Sequence, residues 1–362
     1  MKLGIFMMPI HPPERSPYDA AEWDLEMIRY ADEIGWSEAW IGEHFTSEWE
    51  PVPAPDLLLA QAIKQTKQIK LAAGAHVLPY HHPAELAHRV AFLDHLSQGR
   101  ILFGIGSGGL PSDYTLFNVD GANGENRKMT QEALEIILKL WTEKEPFDYK
   151  GNYWHVTKEE KGSLTGPFLY PYQQPHPPVA IGGLTRNSGT LKIAGKMGML
   201  PMSFGLNNET ILSHWSAYVE GAELAGKTPN RDEWRVNKDI FVADTDEEAY
   251  EWSLGSAMGR SYKEYTLPLF DSFGMISNFK HHSDVPDEEV NIEYLARNAW
   301  IVGSPDTVAN KLDAVYEQLG GFGTLLVTGF DYSENPDVWK KSMRLLKEEV
   351  VPRMKHNRQK VY

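Results

Sequence analysis

Cysteine is absent from all 362 residues. That one absence removes disulfides, thiolate metal ligands and cysteine nucleophiles together. Positive charge is scarce as well: 35 Lys and Arg stand against 50 Asp and Glu, a formal charge of −15. A protein that grips nucleic acid without regard to sequence needs a basic face to displace phosphate counterions, so that class is excluded. No apolar run reaches the roughly 18 residues a membrane-spanning helix requires. The opening stretch MKLGIFMMPIHPPERS breaks at Pro9 before an apolar core has formed, so it does not read as a secretory signal. The expected location is the cytoplasm. Metal-binding spacing is also missing: no His-Glu-x-x-His occurs, the adjacent His81 and His82 point apart, and no metal is expected. What is present is the composition of a folded globular protein, with 42% apolar and 23% charged residues.

The apolar pattern alternates strand and helix from end to end. Leu3–Met8 is a short apolar run cut off by Pro9, and Tyr18–Ile34 carries Leu25, Ile28, Ala31 and Ile34 at helical spacing. Strands are expected at Glu38–Ile41, Ile69–Val77 and Arg100–Ile105, with helices at Asp56–Gln65 and Pro83–Leu96. An excursion follows helix Arg127–Thr142, where aromatic residues flank Gly151-Asn152 in a hairpin pattern over Phe147–Val156. Pro178–Ile181, Met199–Phe204, Val236–Ala243 and Thr324–Val327 read as the remaining strands. Ser304-Pro305-Asp306 opens a helix with a capping serine and a proline at its first position. Eight evenly spread βα units predict a single (β/α)₈ TIM barrel with insertions over 1–362. The pattern loses its period over 256–299, although this stretch is rich in Tyr, Phe and Leu. Its position after the seventh strand makes it a candidate mobile lid, with a packed extra helix as the alternative.

Three groups of residues fall where such a barrel builds its site. Glu43-His44 ends the second strand, and a rim histidine acts as acid, base or hydrogen-bond donor near neutral pH. A structural histidine is the alternative. The run Gly104-Ile105-Gly106-Ser107-Gly108-Gly109 follows the fourth strand. A dinucleotide fingerprint would open directly into a helix, whereas here Leu110-Pro111-Ser112-Asp113 intervenes and the next helix is expected only later. The run suits a backbone lying against a flat ligand or a phosphate, or simply a tight turn. Thr185, Arg186, Ser188 and Gly189 follow the fifth strand at a helix amino terminus, which suits a phosphate. Ordinary capping by Thr185 or Ser188 is the alternative. His76, His81, His82 and His88 read as capping or solvated, His281-His282 as exposed, and Trp23, Trp141 and Phe92 as core. From the residues alone the reaction type stays open.

Six pieces occurring in order give the chain a family resemblance: KLGIFMMP at 2–9, EAWIGEHF at 38–45, LAAGAHVLPYHHP at 71–83, FLDHLSQGRILFGIGSGGLPSD at 92–113, PVAIGG at 178–183 and GSPDTVANKL at 303–312. It resembles the bacterial luciferase-like flavin monooxygenases, and within them the limonene monooxygenase-like group. The resemblance implies that His44 is the catalytic residue beside the reactive edge of the flavin, with Glu43 fixing local geometry. It implies a non-prolyl cis peptide at Gly74-Ala75 under the flavin ring, a ring contact from Phe6, and a basic residue, Arg127, near the polar edge. Thr185, Ser188 and Gly189 fall in the phosphate-binding segment. Luciferase itself has a reactive cysteine and a phosphate-contacting arginine where this chain has Gly106 and Ser107; Arg186 is a substitute for that arginine, and the changes weigh against light emission.

The implied activity is a two-component monooxygenase. A separate NAD(P)H:flavin reductase would supply reduced FMN, and a flavin hydroperoxide would deliver one oxygen atom to a small apolar substrate such as a terpene, aldehyde or ketone. Two other readings share the barrel: a deazaflavin-dependent oxidoreductase and a non-catalytic flavin-binding subunit. The resemblance further implies a homodimer paired through Asp56–Gln68 and Pro83–Leu96.

Overall fold

The computed structural model describes residues 1–160, 162, 164–165, 169–282 and 284–358. Parallel strands Lys2–Met7, Glu38–Ile41, Lys70–Ala73, Ile101–Gly106, Val179–Gly183, Leu200–Ser203, Arg235–Lys238 and Thr324–Thr328 lie side by side in chain order. The first pairs with the last and the third with the fourth, so the sheet closes on itself as a TIM barrel. Closure leaves no free sheet edge, and helices cover the outside. Local chemistry sets the helix limits. Ser16 accepts from the Asp19 amide and Pro17 occupies the first position of helix Pro17–Glu33; Ser304 accepts from the Thr307 amide ahead of Pro305–Leu319. Gly198 and Gly320 end their helices with φ of 77° and 70°, a conformation only glycine adopts freely. The expected hairpin forms from Phe147–Lys150 and His155–Lys158, paired antiparallel. Among the described residues no helix is long and apolar enough to cross a membrane.

Two expectations need correction. The third strand is not continuous: Lys70–Ala73 and His76–Val77 are separate, and the Gly74-Ala75 peptide between them is cis. The seventh strand does not run from Val236 to Ala243. It leaves the barrel after Lys238, and Ile240–Val242 pairs instead with Ile301–Gly303 in a separate parallel pair. Asp239 marks the junction, since its carbonyl accepts from the Ile301 amide at 2.9 Å and its carboxylate from the Tyr262 hydroxyl. The aperiodic stretch is mostly helical over its described residues, with residue 283 outside them. It runs through Ala257–Ser261, a wide turn Tyr262–Thr266, Leu267–Ser272, a short turn Ile276–Phe279 and Ile292–Asn298. Met258, Tyr262, Ile276, Phe279 and Leu295 are buried in the main core. Helices this short bury single anchors rather than a stripe, so no period shows in the sequence.

The larger core lies between barrel and helices; a smaller one fills the barrel itself with Phe6, Trp40, Ala72, Leu102, Ala180, Met202 and Leu326. Below this layer Arg235 forks onto Glu38 at 2.7 and 3.0 Å, and the Trp40 indole donates to the same carboxylate at 3.1 Å. Both charged side chains are buried. A buried pair is worth little net, but removing one partner strands the other charge. Arg235→Leu is therefore expected to destabilise the protein by about 3–5 kcal/mol. Chemical denaturation checks it: an unshifted midpoint would show that Glu38 does not depend on Arg235.

Candidate active site

The mouth of the barrel is walled by backbone. A Cβ on Gly74 would lie 2.8 Å from the Phe6 ring, and one on Gly182 would lie 2.6 Å from Phe204. Gly104 admits none at all, since its Cβ would sit 2.0 Å from the Ala73 carbonyl. Gly106 faces the Ala75 methyl, where a Cβ would approach to 3.2 Å. Phe6 and Phe204 meet at 4.7 Å between ring centroids. The result is a shallow surface of glycine, alanine and aromatic faces, built by strands one, three, four, five and six.

His44 stands at this mouth between two carboxylates. Its Nε2 lies 3.3 Å from Glu50 Oε2, and its Nδ1 is 3.6 Å from Asp113 Oδ2, an ion-pair distance. Burial alone would lower its pKa, but Glu50 and Asp113 together raise it above the usual 6.5. Glu50 is pushed upward by its own burial, although His44 and Tyr265 oppose that. Asp113 stays below the usual carboxylate range despite burial, helped by the imidazole and by Thr46, whose hydroxyl donates at 2.6 Å. The two carboxylates favour the imidazolium, the form that can donate a proton or a hydrogen bond to developing negative charge, over the neutral ring.

Sequence reasoning missed Asp113 because it placed the next helix well downstream. Helix Pro111–Phe117 in fact begins at once, with Pro111 at its first position. That proline after the glycine run was the available signal. Glu50 and Tyr265 carried no local signal; their carboxylate–hydroxyl contact spans 215 positions.

Glu43 does not reach toward His44 with its hydrogen bonds. It accepts from the Val77 amide at 2.7 Å and pairs with His81 Nε2 at 2.7 Å, tying the second strand to the chain just past the cis peptide. His81 continues through Arg89 to Asp56, and Asp56 holds His76 at 2.6 Å. Burial opposes the Asp56 charge, yet His76 and Arg89 hold it at about 2. His76 was expected to be capping or solvated; it is buried and ion-paired with Asp56, its ring beside Phe103. His82, His88, His281 and His282 are exposed.

Ser107 and helix Glu125–Thr142 meet beside the glycine run. Thr130 donates to the Ser107 hydroxyl at 2.9 Å, and the Asn126 amide donates to the Ser107 carbonyl and to Tyr114 at 3.0 Å each. Asn126 is buried, and its Oδ1 has no hydrogen-bond partner. An acceptor left open in a buried position is able to receive a hydrogen bond from a ligand. Arg127, the neighbour singled out from the sequence, is exposed. At the fifth strand, Ser188 caps helix Gly189–Met197 from a buried position. Thr185 is exposed, Gly189 has open space where a Cβ would stand, and Arg186 reaches Glu209 at 3.7 Å. Among the described residues no group of three or more His, Asp or Glu is placed to hold a metal ion.

Known proteins share this fold. Residues 1–322 match the family described as luciferase-like monooxygenase, and the chain belongs to that family. It is 34% identical to the 3,6-diketocamphane 1,6-monooxygenase of Pseudomonas putida, over 98% of each chain. It is 29% identical to limonene 1,2-monooxygenase of Rhodococcus erythropolis, covering 96% of this chain and 85% of that one. Among solved structures, the oxygenating constituent of 3,6-diketocamphane monooxygenase from Pseudomonas putida superposes with a TM-score of 0.93 over 98% of each chain. That structure is a type II Baeyer–Villiger monooxygenase in complex with FMN.

A further buried histidine closes the rim between the first and last strands. His11 lies 2.7 Å from Asp331 and 3.3 Å from Asp24. Burial would lower its pKa, but the two carboxylates raise it to about 9. Its folded value therefore exceeds the unfolded 6.5, so the stability it contributes is complete below pH 6.5 and is lost as pH rises to about 9. Unfolding free energy is expected to fall across that window, and His11→Gln to flatten the fall. A variant with the wild-type slope would show that another group is responsible.

Proposed function

We propose that this protein is the oxygenase component of a two-component monooxygenase that uses reduced FMN, and that its substrate is a small apolar ketone. One observation carries the reading: a histidine paired with two carboxylates stands at a barrel mouth lined by glycine, alanine and aromatic faces, in a chain similar over 98% of its length to an FMN-bound Baeyer–Villiger monooxygenase. The residues present fit a flavin. Gly74, Ala75 and Gly106 offer backbone to a flat ring, Phe6 lies at its floor, and the open Oδ1 of Asn126 offers a buried acceptor beside Ser107. Thr185, Arg186, Ser188 and Gly189 would receive the phosphate at a helix amino terminus, and Arg127 would approach from the rim.

FMN, once reduced, supplies the activation of dioxygen. The chain's own part is electrostatic and steric. His44 holds a proton at Nε2 or Nδ1 under the control of Glu50 and Asp113, and the aromatic floor keeps water away from the reacting face. Deazaflavin enzymes of similar shape, such as a secondary alcohol dehydrogenase at 19% identity, share the fold alone. A ketone is favoured over other apolar substrates because the relatives at 34% and 33% identity are named for diketocamphanes. A separate flavin reductase in the cytoplasm is the partner this chemistry needs. Leu57 and Phe92 are 68% and 56% exposed on helices Pro55–Gln65 and Pro83–Ser97, which supports a homodimer through those helices. Phe92 was expected in the core; a residue left in water by its own chain suits a partner surface. The mass of the purified protein in solution checks this.

With reduced FMN from an NADH:flavin reductase and labelled dioxygen, a bicyclic ketone should gain one labelled oxygen atom as a lactone. His44→Ala should still bind FMN yet lose this activity by about 10²-fold or more. Full activity in that variant, or no labelled product from any ketone, removes the proposal. FMN should also bind more tightly than riboflavin, because only FMN carries the phosphate to the helix terminus. Equal dissociation constants would place the phosphate elsewhere.

A further inference from the structure

Tyr265 lies in the wide helical turn Tyr262–Thr266, far in sequence from the rim it touches. Its ring stacks on Trp49, with 5.7 Å between centroids and 11° between planes. The hydroxyl donates to Glu50 Oε2 at 2.9 Å and accepts from Ser47 Oγ at 2.9 Å. Glu50 Oε2 is the same atom that lies 3.3 Å from His44 Nε2. Arg260, one turn earlier, lies over the Trp49 ring at 5.7 Å and pairs with Glu14 and Glu264. The stretch Ala257–Ser272 is thus docked on the loop that follows the second strand, and one of its contacts ends at the candidate catalytic histidine.

The energetics of that contact run in one direction. Glu50 is buried, so its ionised form is penalised unless neighbours favour it. A hydroxyl donating to the carboxylate favours the charged form. Charged Glu50 in turn favours the imidazolium of His44. Without the hydroxyl, the pair moves toward its neutral state, a protonated carboxyl beside a neutral imidazole. The other acidic groups acting on His44 are Asp113 and Glu43, and neither of these carboxylates is hydrogen-bonded to Tyr265.

We propose that Tyr265 is a positioning residue for His44: through Glu50 it makes the histidine's hold on its proton depend on the helical stretch Ala257–Ser272 being docked. The proposal rests on the reading of His44 as the proton-handling residue. It gives the stretch after the seventh strand a part in the proton balance of the site, since undocking would weaken the histidine's hold on its proton.

The test is the titration of His44 by NMR in the flavin-free protein, with its signal identified among 13 histidines by its loss in His44→Asn. Because no turnover is involved, this result stands apart from whether the enzyme oxygenates a ketone. Tyr265→Phe keeps the ring on Trp49 and should lower the His44 midpoint by on the order of half a pH unit or more. Ser47→Ala, which removes the second partner of the hydroxyl, should change it in the same sense by less. In a Glu50→Gln background, Tyr265→Phe should have no further effect. An unchanged His44 midpoint in folded Tyr265→Phe overturns the proposal, and so does an equal shift with Glu50 already replaced.

Discussion

The close approach of the third and fourth strands is the constraint on which the site depends. Gly104 lies so near Ala73 that any Cβ there would meet its carbonyl at 2.0 Å, and Trp40 packs against the same point at 3.0 Å. With no side chain at Gly104, the strands close the barrel and Trp40 can fill its interior. The chain beyond Ala73 then turns through Gly74-Ala75, and Glu43 takes up the Val77 amide and His81 on the far side. His44 follows Glu43 directly, so the position of the rim histidine is set by the same contact. A larger residue at Gly104 would disturb the wall, the turn and the histidine at once.

Burial and charge are balanced differently at the two ends of the barrel. At the bottom, Arg235 and Glu38 satisfy each other in a fork, with the Trp40 indole, the Glu233 carbonyl and, at 3.7 Å, the Glu233 carboxylate beside them. Such a pair fixes geometry and has no spare proton to give. At the top, two histidines each face two carboxylates: His44 has Glu50 and Asp113, and His11 has Asp24 and Asp331. Excess negative charge in a partly dry setting raises a histidine toward the imidazolium, the form that can donate. The difference separates a structural pair from a group able to act.

The barrel was legible because its signals are local. Strand Glu38–Ile41 matches its expected limits, and helices such as Pro83–Ser97 begin at prolines that mark them in the sequence. The cis peptide at Gly74-Ala75 was legible only through family resemblance, since small residues by themselves do not specify it. What could not be seen was built by contact between distant segments. The departure of the seventh strand at Asp239 depends on Ile301 and Tyr262, and the setting of His44 depends on Asp113 and on Tyr265 through Glu50. Arg127 stood out as a charged residue and is exposed, while its buried neighbour Asn126, whose Oδ1 has no hydrogen-bond partner, gave no such signal.

On the proposed function, the glycine, alanine and aromatic surface at the barrel mouth receives a flat ring with His44 at its reactive edge. A crystal structure of the protein soaked with FMN tests this most directly. The account predicts the isoalloxazine ring lying against Gly74, Ala75 and Gly106, with a hydrogen bond to Asn126 and His44 beside the ring. A ring bound elsewhere, or one that leaves His44 remote and Asn126 Oδ1 still unpaired, would contradict it.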